Sequence, residues 1–94
     1  MADYRVLYWQ AIPSMIEATD GANKHKIQLS DRFQALIDAA AMAQGMAGTD
    51  AYLEQWRKGR AKTREGSAED VATAVQAELE AEFADIRAAA MGKV

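Results

Sequence analysis

The chain has no cysteine, and that absence removes disulfide staples, thiolate nucleophiles and most zinc sites together. There is one histidine, His25, so a histidine pair at metal-ligand spacing cannot form, and no neighbour suggests a nucleophile and base. Proline occurs once, at Pro13. Gly45, Gly48, Gly59 and Gly66 have neither the spacing nor the preceding strand of a phosphate-cradling loop. No cofactor of its own is therefore expected. No stretch approaches the ~20 apolar residues of a membrane helix. The opening MADYRVLYWQ has no basic segment leading into an apolar run, so the expectation is a cytoplasmic protein with no membrane contact.

What is present fits one small domain. At 94 residues a chain buries only about two thirds of its unfolded surface, which leaves little room for a deep private active site. The net charge of −3 supplies no general attraction to nucleic acid or anionic lipid. Its distribution is more informative. Residues 1–56 carry four cations against seven acids, residues 57–66 five against one, and residues 67–94 two against six. The chain is acidic, then basic, then acidic.

The densest periodicity lies between Ser30 and Trp56. Phe33, Leu36, Ile37 and Ala40 recur at steps of three and four and predict a core-facing helix beginning near Asp31. Ser30 is placed to cap it, Asp31 to favour its positive end, and Gly45 to close it in a left-handed conformation. Thr49 is placed to cap a shorter helical turn with Tyr52, Leu53 and Trp56 on one side.

Upstream, DYRVLYW at 3–9 reads as a strand with two apolar faces, interrupted by Ile12-Pro13. Ser14–Thr19 reads as a second strand, although its IEA segment also suits a helix. Asp20-Gly21 is the strongest turn signal, and Lys24–Leu29 alternates His25, Ile27 and Leu29 against Lys24, Lys26 and Gln28. The expected fold is α+β: a three-stranded antiparallel meander packed against helices.

Downstream, RKGRAKTREG at 57–66 has no large apolar residue and reads as a mobile loop. Ser67 begins a capping-box pattern, after which Val71, Val75, Leu79, Phe83, Ile86 and Ala90 define a long C-terminal amphipathic helix ending near Gly92. About twenty-three residues span roughly 35 Å, longer than a domain this small is wide, so part of the stripe is expected to meet another chain. Its wetted side carries Glu69, Asp70, Glu78, Glu80, Glu82 and Asp85. The expected division is a core at 1–57, a basic loop at 58–66 and a C-terminal helix at 67–94.

Few residues suggest chemistry. Asp38 and Asp50 form the only conceivable acid and base pair, but a polar helix face and a first helical turn account for both. An enzyme built from Asp38, His25 and a tyrosine is the weakest reading, and no catalytic or metal-binding residue is assigned. The basic segment is the one prominent surface feature. Arg57, Lys58, Arg60, Lys62 and Arg64 read either as an anion-binding arm or as a solvated linker neutralised by the acidic helix. Among the aromatics, Tyr52 suits the core as well as a contact, while Trp9 and Trp56 are the better contact candidates.

YWQAIP at 8–13, SDRFQALIDAAAM at 30–42 and GTDAYLEQWR at 48–57 together resemble the small bacterial virulence factor family, which is also similar to a segment of larger staphylococcal proteins, conserved virulence factor C. The resemblance covers residues 4–57. It assigns no catalytic residue, and it implies an accessory role. Alphaproteobacterial members of this kind accompany one-carbon metabolism, notably methylenetetrahydrofolate reductase-like flavoproteins and corrinoid methyltransferases. Flavin or folate is thus expected only through a partner. The leading expectation is a non-catalytic subunit of such an enzyme, with Trp9, Tyr52, Trp56, Val75, Leu79, Phe83 and Ile86 at the contact. Self-association through the C-terminal helix is compatible with it. The alternative is a nucleic-acid- or anion-binding regulator acting through residues 57–64, with nucleic acid disfavoured by the acidic helix beside them.

Overall fold

The first three strands form the expected meander. In the computed structural model, which describes residues 1–91, β1 (Ala2–Trp9), β2 (Ile12–Asp20) and β3 (Asn23–Gln28) lie side by side and antiparallel, with β2 in the middle. Gly21 turns β2 into β3 with a φ of 60°, the left-handed geometry that a two-residue hairpin asks of its first central residue. Gln10 does the same between β1 and β2 at φ 55° without being glycine. It is held there by Gln55, whose backbone carbonyl accepts its N–H at 3.1 Å, and its side-chain amide bonds to the Gln44 and Gln55 side chains.

Ile12 and Pro13, expected to form a break between the first strand and a second beginning at Ser14, instead lie within β2. The β1–β2 register slips between Leu7 and Tyr8, so that Leu7 faces Met15 while Tyr8 faces Pro13. An irregularity of this kind is one of the few places where an inner strand tolerates a residue with no N–H. It also lets two successive residues, Ile12 and Pro13, both be buried.

The helices cover one face of this sheet. The cross-strand row Val6, Ile16 and Ile27 lies beneath them, whereas the next row, Arg5, Glu17 and Lys26, faces solvent. α1 (Asp31–Ala43) buries Phe33, Leu36, Ile37, Ala40 and Ala41, the stripe its periodicity predicts with one alanine added. Burying one such large apolar side chain is worth about 1.5–3 kcal/mol. Gly45, at φ 71°, closes α1 as expected: its N–H reaches the Met42 carbonyl and the Met46 N–H reaches that of Ala41. That pair of bonds is the Schellman arrangement.

The N-termini depart from expectation. Ser30 accepts no capping bond from α1; its N–H and hydroxyl both donate to the Glu80 carboxylate, each at 2.8 Å. Thr49 precedes α2 (Asp50–Glu54) but its hydroxyl donates to the Met46 carbonyl at 2.6 Å. Ser67 behaves as predicted and accepts the Asp70 N–H at 3.1 Å, opening α3 (Ala68–Ala81).

The C-terminal helix is not continuous. Glu82, at φ −91° and ψ 3°, separates α3 from α4 (Phe83–Met91). The break redirects the chain so that Phe83 meets Phe33 edge-on with ring centroids 5.0 Å apart, and Ile86 and Ala90 also pack on the core. The expected end near Gly92 lies outside the described residues. Among the described residues no helix is long and apolar enough to cross a membrane.

The largest correction concerns residues 57–66, expected to be a loop. β4 (Trp56–Lys58) and β5 (Lys62–Arg64) both pair antiparallel with β1 and enlarge the sheet from three strands to five.

Candidate functional site

β4 and β5 run in the same direction along β1 and amount to one edge strand with an irregularity in its middle. Lys58 pairs with Leu7 and Lys62 with Tyr4, so three residues, Gly59, Arg60 and Ala61, face two, Arg5 and Val6. One extra residue in an edge strand is a β-bulge. Side chains alternate between faces along a strand, so Arg57 and Lys62, five positions apart, belong on opposite faces of a regular one. The bulge reverses that parity. Arg57 now pairs with Tyr8 and Lys62 with Tyr4, and Tyr4, Val6 and Tyr8 share one side of β1.

The result is an open cleft of about 320 Å³ lined by Tyr4, Val6, Tyr8, Arg57, Gly59, Arg60 and Lys62. Gly59 keeps it open. Its N–H is fixed to the Val6 carbonyl at 2.8 Å, and a Cβ at this position would stand 2.9 Å from a Tyr8 ring carbon. The Arg57 guanidinium lies 4.9 Å from the centre of the Tyr8 ring, a cation–π geometry that steadies it over the cleft. The lining holds three cations and no carboxylate, and among the described residues none of the three is within ion-pair distance of an acid.

Two of the five predicted anion-binding residues lie elsewhere. Lys58 points to the opposite face, where its ammonium is 3.7 Å from Glu17, which also has Lys26 at 4.0 Å. Arg64 is on the cleft side but is engaged by Glu78 of α3 through two bonds of 2.9 and 3.1 Å. The Arg64 hydrogen bond holds the Glu78 carboxyl below its ordinary value despite some desolvation, and raises Arg64 in turn. Glu80, expected to be wetted, accepts from Ser30 and from the Arg32 guanidinium at 2.9 and 3.1 Å. Partial burial alone would raise its carboxyl, but the bonds from Ser30 and Arg32 outweigh that and leave it lowered.

The predicted partner contacts are mostly internal. Trp9, 0% exposed, donates its indole N–H to the Tyr52 carbonyl at 2.9 Å, with the two rings 5.5 Å apart. Tyr52 of α2 packs over it at this end of β1. Val75 is buried as well, and Tyr52, Trp56, Leu79, Phe83 and Ile86 are partly buried against the protein's own core. Trp56 is not on the helical turn but opens β4. Among the described residues the exposed large apolar ones are Met1, Met42 and Leu53; Leu53, expected on the same side of the turn as Tyr52 and Trp56, faces solvent, and no pattern in the sequence marked Met42 as a contact. Asp38 accepts from Gln34, Asp50 opens α2, and His25 is half-buried on β3; no hydrogen bond joins them. Among the described residues no group of three metal-binding side chains occurs.

Fold and cleft together define a small α+β domain whose antiparallel sheet is covered by helices on one face and edged by a basic, bulged strand. A family model described as Virulence factor matches residues 7–91, and the chain belongs to that family. The match extends through the basic strand and both C-terminal helices, well beyond the 4–57 of the resemblance. No curated protein and no solved structure matches it significantly.

Proposed function

We propose that this chain is a non-catalytic accessory subunit that engages a larger enzyme by receiving an anionic group in the cleft between β1 and the β4–β5 edge. The observation that carries this reading is the uncompensated charge of Arg57, Arg60 and Lys62 gathered in one recess, whereas Lys26 and Lys58 are met by Glu17, Arg32 by Glu80 and Arg64 by Glu78. Positive charge left unpaired in a recess attracts and orients an anionic partner and makes binding salt-dependent. The resemblance to small alphaproteobacterial members supplies the partner class: a methylenetetrahydrofolate reductase-like flavoprotein or a corrinoid methyltransferase of cytoplasmic one-carbon metabolism. Any flavin or folate belongs to that partner. A relation to a segment of conserved virulence factor C belongs to the same reading.

Half-buried Tyr52 and Trp56, with exposed Leu53 beside them, remain the apolar part of the contact. Trp9 and Val75 are withdrawn from it, since both are enclosed in the chain's own core.

Affinity capture from native lysate, followed by mass spectrometry, tests the proposal. The expected result is a stoichiometric larger enzyme, lost when Arg57 and Lys62 are changed to Glu and retained when Lys58 is changed to Glu. Recovery of the chain alone, as monomer or as a dimer joined through the C-terminal helices, overturns it. A second reading, a regulator that binds nucleic acid through residues 57–64, rests on the same cations. Salt-dependent binding to an oligonucleotide by the isolated chain is its distinguishing result.

A further inference from the structure

We infer that the β1/β4–β5 cleft is a binding site for a small phosphomonoester, with the phosphoryl group held by Arg57, Arg60 and Lys62 and a compact flat body resting against Tyr4 and Tyr8. This deepens the reading of the cleft as the anion-recognition site of an accessory subunit.

Three features select this ligand class. The first is charge. Three cationic side chains line one recess with no acid among them, which suits a dianion better than a single carboxylate. Arginine adds a planar fork of donors matched to phosphoryl oxygens. The second is size. About 320 Å³ lies at the lower end of small-molecule sites, enough for a phosphoryl group and a modest organic body and too little for a large dinucleotide. The third is shape. Two tyrosines on β1 flank an apolar floor at Val6, and the missing side chain at Gly59 lets a ligand reach that floor. Arg57 is already oriented on the Tyr8 ring, so less side-chain freedom is lost on binding. Lys58 supplies an internal control. It belongs to the same strand and carries the same charge, but it faces the opposite side beside Glu17.

The test is titration of the full chain, labelled with nitrogen-15, with inorganic phosphate, phenyl phosphate and N-acetylglutamate at fixed ionic strength in chloride, followed by amide chemical shifts. The expected result is saturable shifts centred on Tyr8, Gly59 and Arg60, with phenyl phosphate binding more tightly than phosphate and both more tightly than N-acetylglutamate. Arg57→Gln with Lys62→Gln is expected to weaken phenyl phosphate at least tenfold while the rest of the spectrum stays folded. Lys58→Gln is expected to change it less than twofold. Shifts that never saturate, an equal loss in Lys58→Gln, or N-acetylglutamate binding as tightly as phosphate would each overturn the assignment. Capture of a partner that still depends on Arg57 and Lys62 while phosphate fails to bind sinks the phosphoryl assignment and leaves the subunit reading standing. Phosphoester binding without any captured partner does the reverse.

Discussion

Five basic side chains between residues 57 and 64 meet two different fates, and the contrast separates neutralised from unpaired charge. Arg64 and Lys58 lie beside acids, the first on α3 and the second on the open face of β2. Arg57, Arg60 and Lys62 face a recess whose lining is aromatic, apolar and basic. Residue type and local sequence are the same on both sides of the comparison. What differs is which face of the sheet each residue occupies, and what the elements across from it carry. Arg32 repeats the first fate outside the segment, bonded to Glu80 and lying 4.4 Å from the centre of the Phe83 ring.

The largest expected effect breaks the framework that holds the neutralised charges in place. Phe33→Ala removes a fully buried ring and the edge-on partner of Phe83, and is expected to cost about 3–5 kcal/mol in urea denaturation. Next comes the cleft itself. Arg57→Glu with Lys62→Glu is expected to abolish anion binding, a loss of more than tenfold or roughly 1.4 kcal/mol. It should leave folding stability within about 0.5 kcal/mol, because neither side chain is buried. Equal losses of stability and binding would erase the distinction between the two kinds of cation.

Glu80→Gln tests the neutralised set directly. It weakens the acceptor that takes the Ser30 N–H at the start of α1 and is expected to cost about 1 kcal/mol, comparable to losing a helix cap. The same carboxylate gives a pH signature of known sign. Its folded-state value and that of Glu78 both lie below the ordinary 4.5, so the stability they contribute is fully present above that pH. It is lost as the pH falls through the lower folded-state values. The fall in stability below pH 4.5 should flatten in Glu80→Gln. Glu78→Gln is expected to have the smallest effect, near the resolution of a denaturation experiment, since the Arg64 pair lies in solvent.

Deleting Ala61 removes the bulge itself. It restores regular alternation to the edge strand, which keeps Arg57 opposite Tyr8 and Lys62 opposite Tyr4 on one face but should turn Arg60 to the other, opposite Arg5. Anion binding would then weaken with every basic residue still present.

Much of the framework is written locally. The stripe of α1, its Gly45 closure, the Asp20-Gly21 turn and the Ser67 cap depend on contacts within a few residues, and each forms as its sequence predicts. The misreadings share one cause. Residues 57–66 lack the apolar alternation of a strand because their strand needs none: it adds to the free edge of β1 through backbone bonds while its side chains stay largely in solvent. Trp9 was misjudged because nothing nearby in sequence announces that Tyr52, 43 positions away, accepts its indole N–H. The acidic face of α3 looked wetted because its partners, Arg64, Arg32 and Ser30, arrive from other elements.

Short-range periodicity and turn chemistry suffice for the α+β class, the three-stranded meander, the position of the first helix and the presence of a basic segment. Which cations lie together depends instead on long-range strand pairing. A strand's parity assigns every side chain to a face, and one bulged residue between Lys58 and Lys62, set by the pairing with β1, inverts that parity and turns a row of scattered charges into a cleft.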